Sequence, residues 1–149
     1  MPAPKIFIDT NVILYLLSTD AVKADRAEGV VAAGGCVSVQ VLNEVASVAR
    51  RRLSMSWAEI AELLTLIRSL CRILPLTLET HDRGLQVARQ HGLNIYDAMI
   101  VAAALLVECE ILYSEDMQNG LVIEDRLRIS NPFFSGKASY KKGSSADYQ

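Results

Sequence analysis

Residues that mark secreted, zinc-binding or membrane-bound chains are scarce in this sequence of 149 residues, which has three cysteines and two histidines. Cys36, Cys71 and Cys109 are odd in number, far apart and set among apolar neighbours. That pattern suits reduced, buried thiols better than a disulfide framework. His81 and His91 stand alone with no cysteine at zinc-ligand spacing, so no zinc site is expected. The longest uncharged apolar run, Ala98 to Val107, is too short to span a bilayer. The opening Met1-Pro2-Ala3-Pro4-Lys5 lacks the basic and apolar regions of a signal peptide. A cytoplasmic protein without a membrane anchor is expected. Excess positive charge is missing too: 15 Lys and Arg face 17 Asp and Glu, a net charge of −2. The stretch from Lys137 onward holds three Lys and one Asp, so the remainder is more acidic still. A protein that coats nucleic acid with a basic surface is thereby excluded.

Apolar residues make up 51% of the chain and charged residues 21%, enough to build one hydrophobic core in a domain of this length. Lys5 to Ile8 reads as a strand ended by Asp9, with a buried helix from Asn11 to Leu17. Ala21 to Ala33 is helix-favouring and stopped by Gly34-Gly35, and Cys36 to Val39 is a second strand. Apolar residues at helical spacing then run to the basic triplet Arg50-Arg51-Arg52, which suits a helix C-terminus. Ser56 and Glu59 form a capping box opening a helix to about Leu70. Ile73 to Leu78 is a third strand, and Pro75 makes it irregular or places it at an edge. Glu79 to His91 is an amphipathic helix closed by Gly92, and Asn94 caps the next, Ile95 to Val107, which is apolar on nearly every face and so central. Ile111 to Tyr113 is a fourth strand, followed by a polar loop and two short strand candidates, Leu121 to Ile123 and Leu127 to Ile129. The alternation predicts an α/β fold with a mostly parallel sheet of four to five strands flanked by helices. Residues 1–135 are expected to form the domain and 136–149, rich in Gly, Ser and Lys, a flexible polar tail.

Three carboxylates are each the only charge in a long apolar segment. Asp9 is alone between Ile6 and Thr19, Glu44 between Cys36 and Ala49, and Asp97 between Ile95 and Val107. Burying an unpaired carboxylate costs several kcal/mol, so these acids require partners, and basic residues are scarce in the same segments. In an open α/β sheet, the strand ends at Asp9, near Glu44 and after Tyr113 face one crevice. A divalent cation meets the need, and oxygen donors without Cys or His favour Mg²⁺ or Mn²⁺. Singly, each acid has a structural use: Asp9 as a helix cap, Asp97 beside a helix N-terminus, Glu44 on a helix flank, Asp116 in a turn. The set carries the reading.

The run Ile6-Phe7-Ile8-Asp9-Thr10-Asn11-Val12-Ile13-Leu14-Tyr15-Leu16-Leu17 resembles the opening motif of PIN-domain ribonucleases, especially the VapC-like toxins of bacterial toxin–antitoxin pairs. Three further segments resemble the family in order: Val41-Leu42-Asn43-Glu44-Val45, the stretch Ile95 to Ala104 containing Asp97, and Ile111 to Gly120 containing Ser114-Glu115-Asp116. The resemblance covers about residues 5 to 133. It implies a three-layer PIN-like fold in which Asp9, Glu44, Asp97 and Asp116 form an acidic pocket holding Mg²⁺ or Mn²⁺. Asn11 and Ser114 match the family's polar supports. Glu115, beside the matching acid, is open as a substitute for or assistant to Asp116.

The implied activity is metal-assisted hydrolysis of RNA by water, leaving a 5′-phosphate and a 3′-hydroxyl. Arg50, Arg51 and Arg52 are the local candidates for holding the RNA backbone. The resemblance also implies a homodimer whose two pockets line one channel, and a small antitoxin whose C-terminal segment lies over the pocket. The apolar surface of Val12 to Leu17 and the helix 79–91 are candidate receivers of that segment. A phosphoacceptor or phosphatase of similar shape fits poorly, because Asn11 stands where a second Asp is wanted and no Lys occurs between Lys23 and Lys137. The rival class is a catalytically silent binding module on the same fold.

Overall fold

Asp9 both ends the first strand and begins the first helix, and that junction fixes the geometry of everything that follows. In the computed structural model, which describes residues 3–134, β1 (Ile6–Ile8) gives way to α1 (Thr10–Leu14), whose N-cap is Asp9. The segment expected as one buried helix to Leu17 instead tightens after Leu14 into a 3₁₀ turn, Tyr15–Leu17. Val12 and Ile13 are buried, whereas Leu14 to Leu17 are only half-buried. The apolar run is therefore longer than the helix that the core can cover, and 3₁₀ geometry closes its end.

Helix α2 (Ala21–Ala32) is capped by Asp20 and leads to β2 (Cys36–Ser38) and α3 (Val39–Arg52). The capping box of Ser56 and Glu59 is present and opens α4 (Trp57–Leu70). Strand β3 (Arg72–Leu74) lies at the sheet edge and stops just before Pro75, short of the expected Leu78, which instead opens the next helix. Gly92, at φ 68°, closes α5 (Leu78–His91), and Asn94 caps α6 (Ile95–Leu106). Every residue of α6 from Ala98 to Leu105 is buried, so this helix has no solvent face along that stretch and is central to the core.

Strand β4 (Ile111–Tyr113) is followed by β5 (Val122–Ile123) and β6 (Leu127–Ser130). Both short strand candidates join the sheet, giving six strands among the described residues, in the order β3-β2-β1-β4-β6-β5. All pairings are parallel except that of β5 with β6. From β1 the chain moves outward on one side through β2 and β3 and on the other through β4 and β6. The strand order thus reverses between β1 and β4, where open α/β sheets place their ligand crevice. Ile8 is in register with Tyr113, so Asp9 and Ser114 emerge side by side at that point. The three cysteines are free and buried. No helix among the described residues is long and apolar enough to cross a membrane. The expected tail, 136–149, lies outside the described residues.

Candidate active site

Asp9 is only 3% exposed, and it is held by three donors. The Thr10 N–H donates to Oδ1 at 2.7 Å, while Asn11 Nδ2 and Ser114 Oγ donate to Oδ2 at 3.2 and 2.8 Å. No lysine or arginine among the described residues pairs with it. Burial lifts its carboxyl to a pKa of about 7, opposed by the Ser114 and Thr10 hydrogen bonds and reinforced by repulsion from Asp97 and Asp116.

The other acids arrive from separate elements. Glu44, one turn into α3, accepts from Thr10 Oγ1 at 2.7 Å and from Gln40 Nε2 at 2.8 Å. Asp97, in the first turn of α6, exchanges bonds with its N-cap: Asn94 Nδ2 donates to Oδ2 at 3.0 Å, and the Asp97 N–H donates to Asn94 Oδ1 at 2.9 Å. Its pKa is raised, first by burial and further by Asp116 and Glu44, against the lowering effect of the Asn94 hydrogen bond. Asp116 is exposed in the loop after β4. Together Asp9, Glu44, Asp97 and Asp116 line one cavity of about 400 Å³. Among the described residues, no three carboxylates are drawn as close as the ligands of a metal ion. They face one another across the cavity, as mutually repelling groups should.

A PIN domain family model matches residues 6–118, most of the chain and the whole span carrying these acids. The chain belongs to the PIN domain family. Solved structures share its fold. A toxin–antitoxin complex from Klebsiella pneumoniae is similar at a TM-score of 0.66 with 19% identity, covering 87% of this chain and 98% of that one. The Mycobacterium tuberculosis toxin VapC20, described as cleaving the sarcin-ricin loop, is similar at a TM-score of 0.63 with 17% identity, covering 75% and 90%. DNA-bound VapBC from Salmonella typhimurium is similar at a TM-score of 0.61 with 17% identity, covering 87% and 99%. No curated protein sequence matches this chain.

In this PIN domain, the two residues flagged as polar supports both touch Asp9. Glu115 does not line the acidic cavity. Its side chain turns away to Tyr15 and Lys23, leaving Asp116 as the loop acid that faces Asp9. The basic triplet divides. Arg51 and Arg52 stand on the cavity wall, whereas Arg50 lies 4.9 Å over the Trp57 ring and donates to the Met55 carbonyl. Thr10 and Gln40, which orient Glu44, escaped the sequence reading. Thr10 carried a usable signal, lying between the strand-end acid and Asn11, whereas Gln40 is an ordinary polar residue at i−4 on α3. Lys23 and Tyr15 also escaped it, because nothing local links either to Glu115.

The donor set suits a hard divalent cation. Every donor is an oxygen, and the cavity is roomy enough for an ion that retains waters. Asp9 is deeply buried, held by hydrogen-bond donors, and forms no ion pair with a lysine or arginine among the described residues.

Proposed function

We propose that this PIN domain is a metal-dependent endoribonuclease, the toxin of a VapBC-like toxin–antitoxin pair, hydrolysing RNA phosphodiesters with water as the nucleophile. The carrying observation is that four acids from four separate parts of the chain line one cavity at the sheet's switch point. Asp9, Glu44, Asp97 and Asp116 would hold Mg²⁺ or Mn²⁺. Bound there, the cation supplies an acidified water and charge to offset the phosphate. The protein's own residues do the positioning. Thr10, Asn11 and Ser114 hold the Asp9 carboxylate in one orientation, and Thr10 and Gln40 do the same for Glu44. Arg51 and Arg52, on the cavity wall, are placed to meet backbone phosphates flanking the scissile bond. In-line attack by water leaves a 5′-phosphate and a 3′-hydroxyl, with no covalent protein intermediate.

Two partners belong to this reading. A small antitoxin covers the cavity, a proposal supported by the similarity to structures described as toxin–antitoxin complexes. A second copy of the chain extends the RNA channel, since cationic side chains at one cavity are few. The deciding experiment incubates purified protein with RNA and Mn²⁺. Wild type is expected to cleave and Asp9→Asn to be inactive; equal cleavage by both proteins overturns the assignment.

A further inference from the structure

Beside the acidic cavity lies a second, of about 670 Å³, with Lys23, Tyr15 and Glu115 on its wall. Both carboxylate oxygens of Glu115 are engaged there. Tyr15 donates its hydroxyl to Oε1 at 2.5 Å, and Lys23 Nζ lies 3.1 Å from Oε2. Lys23 also donates to the Tyr15 hydroxyl oxygen at 3.1 Å. The Tyr15 ring is itself fixed edge-on against Phe133, with centroids 4.6 Å apart. The Glu115 side chain is only 10% exposed, so this clamp holds a residue of the loop after β4 from a nearly buried position.

What the clamp holds matters for Asp9. The Glu115 backbone N–H donates to Asn11 Oδ1 at 3.0 Å. A primary amide has one acceptor end and one donor end, so engaging Oδ1 decides where Nδ2 points. Nδ2 is directed to Asp9 Oδ2, at 3.2 Å. An Asn11 released from Glu115 is free to flip, which sets its carbonyl oxygen against the buried carboxylate. Asp116 is the next residue after Glu115, so the same clamp sets where the loop acid stands.

We propose that Lys23 and Tyr15 are positioning residues for the acidic site, acting through Glu115 and Asn11 on Asp9 and through the loop on Asp116. This rests on the reading that the cavity takes a divalent cation. Neither residue touches substrate or cation; each fixes the orientation of groups that do.

The test is the Mn²⁺ dissociation constant of the full chain, measured by isothermal titration calorimetry at a temperature where every variant is folded. Tyr15→Phe keeps the ring on Phe133 and removes only the hydroxyl. Lys23→Met removes the charge, and Lys23→Arg restores a cationic donor. Tyr15→Phe and Lys23→Met are expected to weaken Mn²⁺ binding on the order of tenfold, and Lys23→Arg to recover most of the loss. On RNA, kcat falls while KM holds. A clamp that merely ties α2 to the loop would lower the metal-free melting temperature and leave the Mn²⁺ constant within about twofold of wild type, which overturns the proposal. Tyr15→Phe decides the matter if Lys23→Met does not fold. Absence of saturable Mn²⁺ binding by the wild type overturns the metal-nuclease reading and the positioning role with it, whereas wild-type binding with unaffected variants overturns the positioning role alone.

Discussion

At the scale of single residues, Asp9 is the most perturbed carboxylate of the site, and its perturbation has a sign that can be measured. Its carboxyl titrates at about 7 in the folded protein against 3.8 as an ordinary aspartate, chiefly because burial disfavours the charged form. The folded state therefore keeps a proton that the unfolded chain has already released. Stability from this group is fully present below about pH 4 and is lost as pH rises through about 7, at a slope on the order of 1 kcal/mol per pH unit between them. Asp97, also raised, adds in the same direction. Urea denaturation in the presence of a chelator is expected to show metal-free wild type losing stability from pH 4.5 to 7.5, and Asp9→Asn losing markedly less. Parallel pH profiles for the two proteins would show that Asp9 is not the titrating group. The residue was legible in the sequence because it is the sole charge in a long apolar segment. Its exceptional burial was not, since that depends on β1 lying between β2 and β4.

At the scale of elements, what local chemistry dictates was readable, and what packing dictates was not. The Ser56–Glu59 box, the left-handed Gly92 and the Asn94 cap all stand where the chain announces them. The 3₁₀ turn at Tyr15–Leu17 carries no local signal, because it arises where α1 runs out of core to cover. Nor does sequence explain Gly84, a poor helix former inside α5. The structure does: a Cβ there would stand 2.6 Å from Met99 Cε and 2.8 Å from its Sδ, so a side chain at 84 fits only if the flexible end of Met99, on central α6, moves aside. Gly84→Val is expected to destabilise by about 1–3 kcal/mol despite removing a helical glycine. Met99→Ala carries its own cost as a buried side chain, but the double variant should lose less than the sum of the two single losses, since the two residues share one space. Chemical denaturation of the single and double variants checks both; strictly additive losses would mean that the contact is not what excludes a side chain.

At the scale of the whole molecule, the acidic cavity is where separate regions of the chain become one structure. Asp9 follows β1, Glu44 rides on α3, Asp97 opens α6 and Asp116 lies after β4, so each acid is supplied by a different part of the fold. Asp9, Glu44 and Asp97 were legible as the only charges in apolar segments, and Asp116, in a polar loop, only through the family resemblance; a parallel sheet brings the ends of its strands to one edge. The supports that cross the fold were not legible: Lys23 and Glu115 are 92 residues apart, and no periodicity connects them. A cation bridging these elements, as proposed, would bind the folded chain and not the unfolded one. Saturation with Mn²⁺ should therefore raise stability by about 2.7 kcal/mol at a hundred times its dissociation constant. At one fixed Mn²⁺ concentration the gain should be larger at pH 8 than at pH 6, because a carboxyl with a pKa of about 7 must release its proton to become a ligand, which lowers the dissociation constant as pH rises. Thermal denaturation across a Mn²⁺ titration at both pH values, with Asp9→Asn and Asp97→Asn alongside, measures this. A catalytically silent PIN domain with a degenerate site would give no saturable shift at either pH. A shift that survived both substitutions would place the cation elsewhere on the surface.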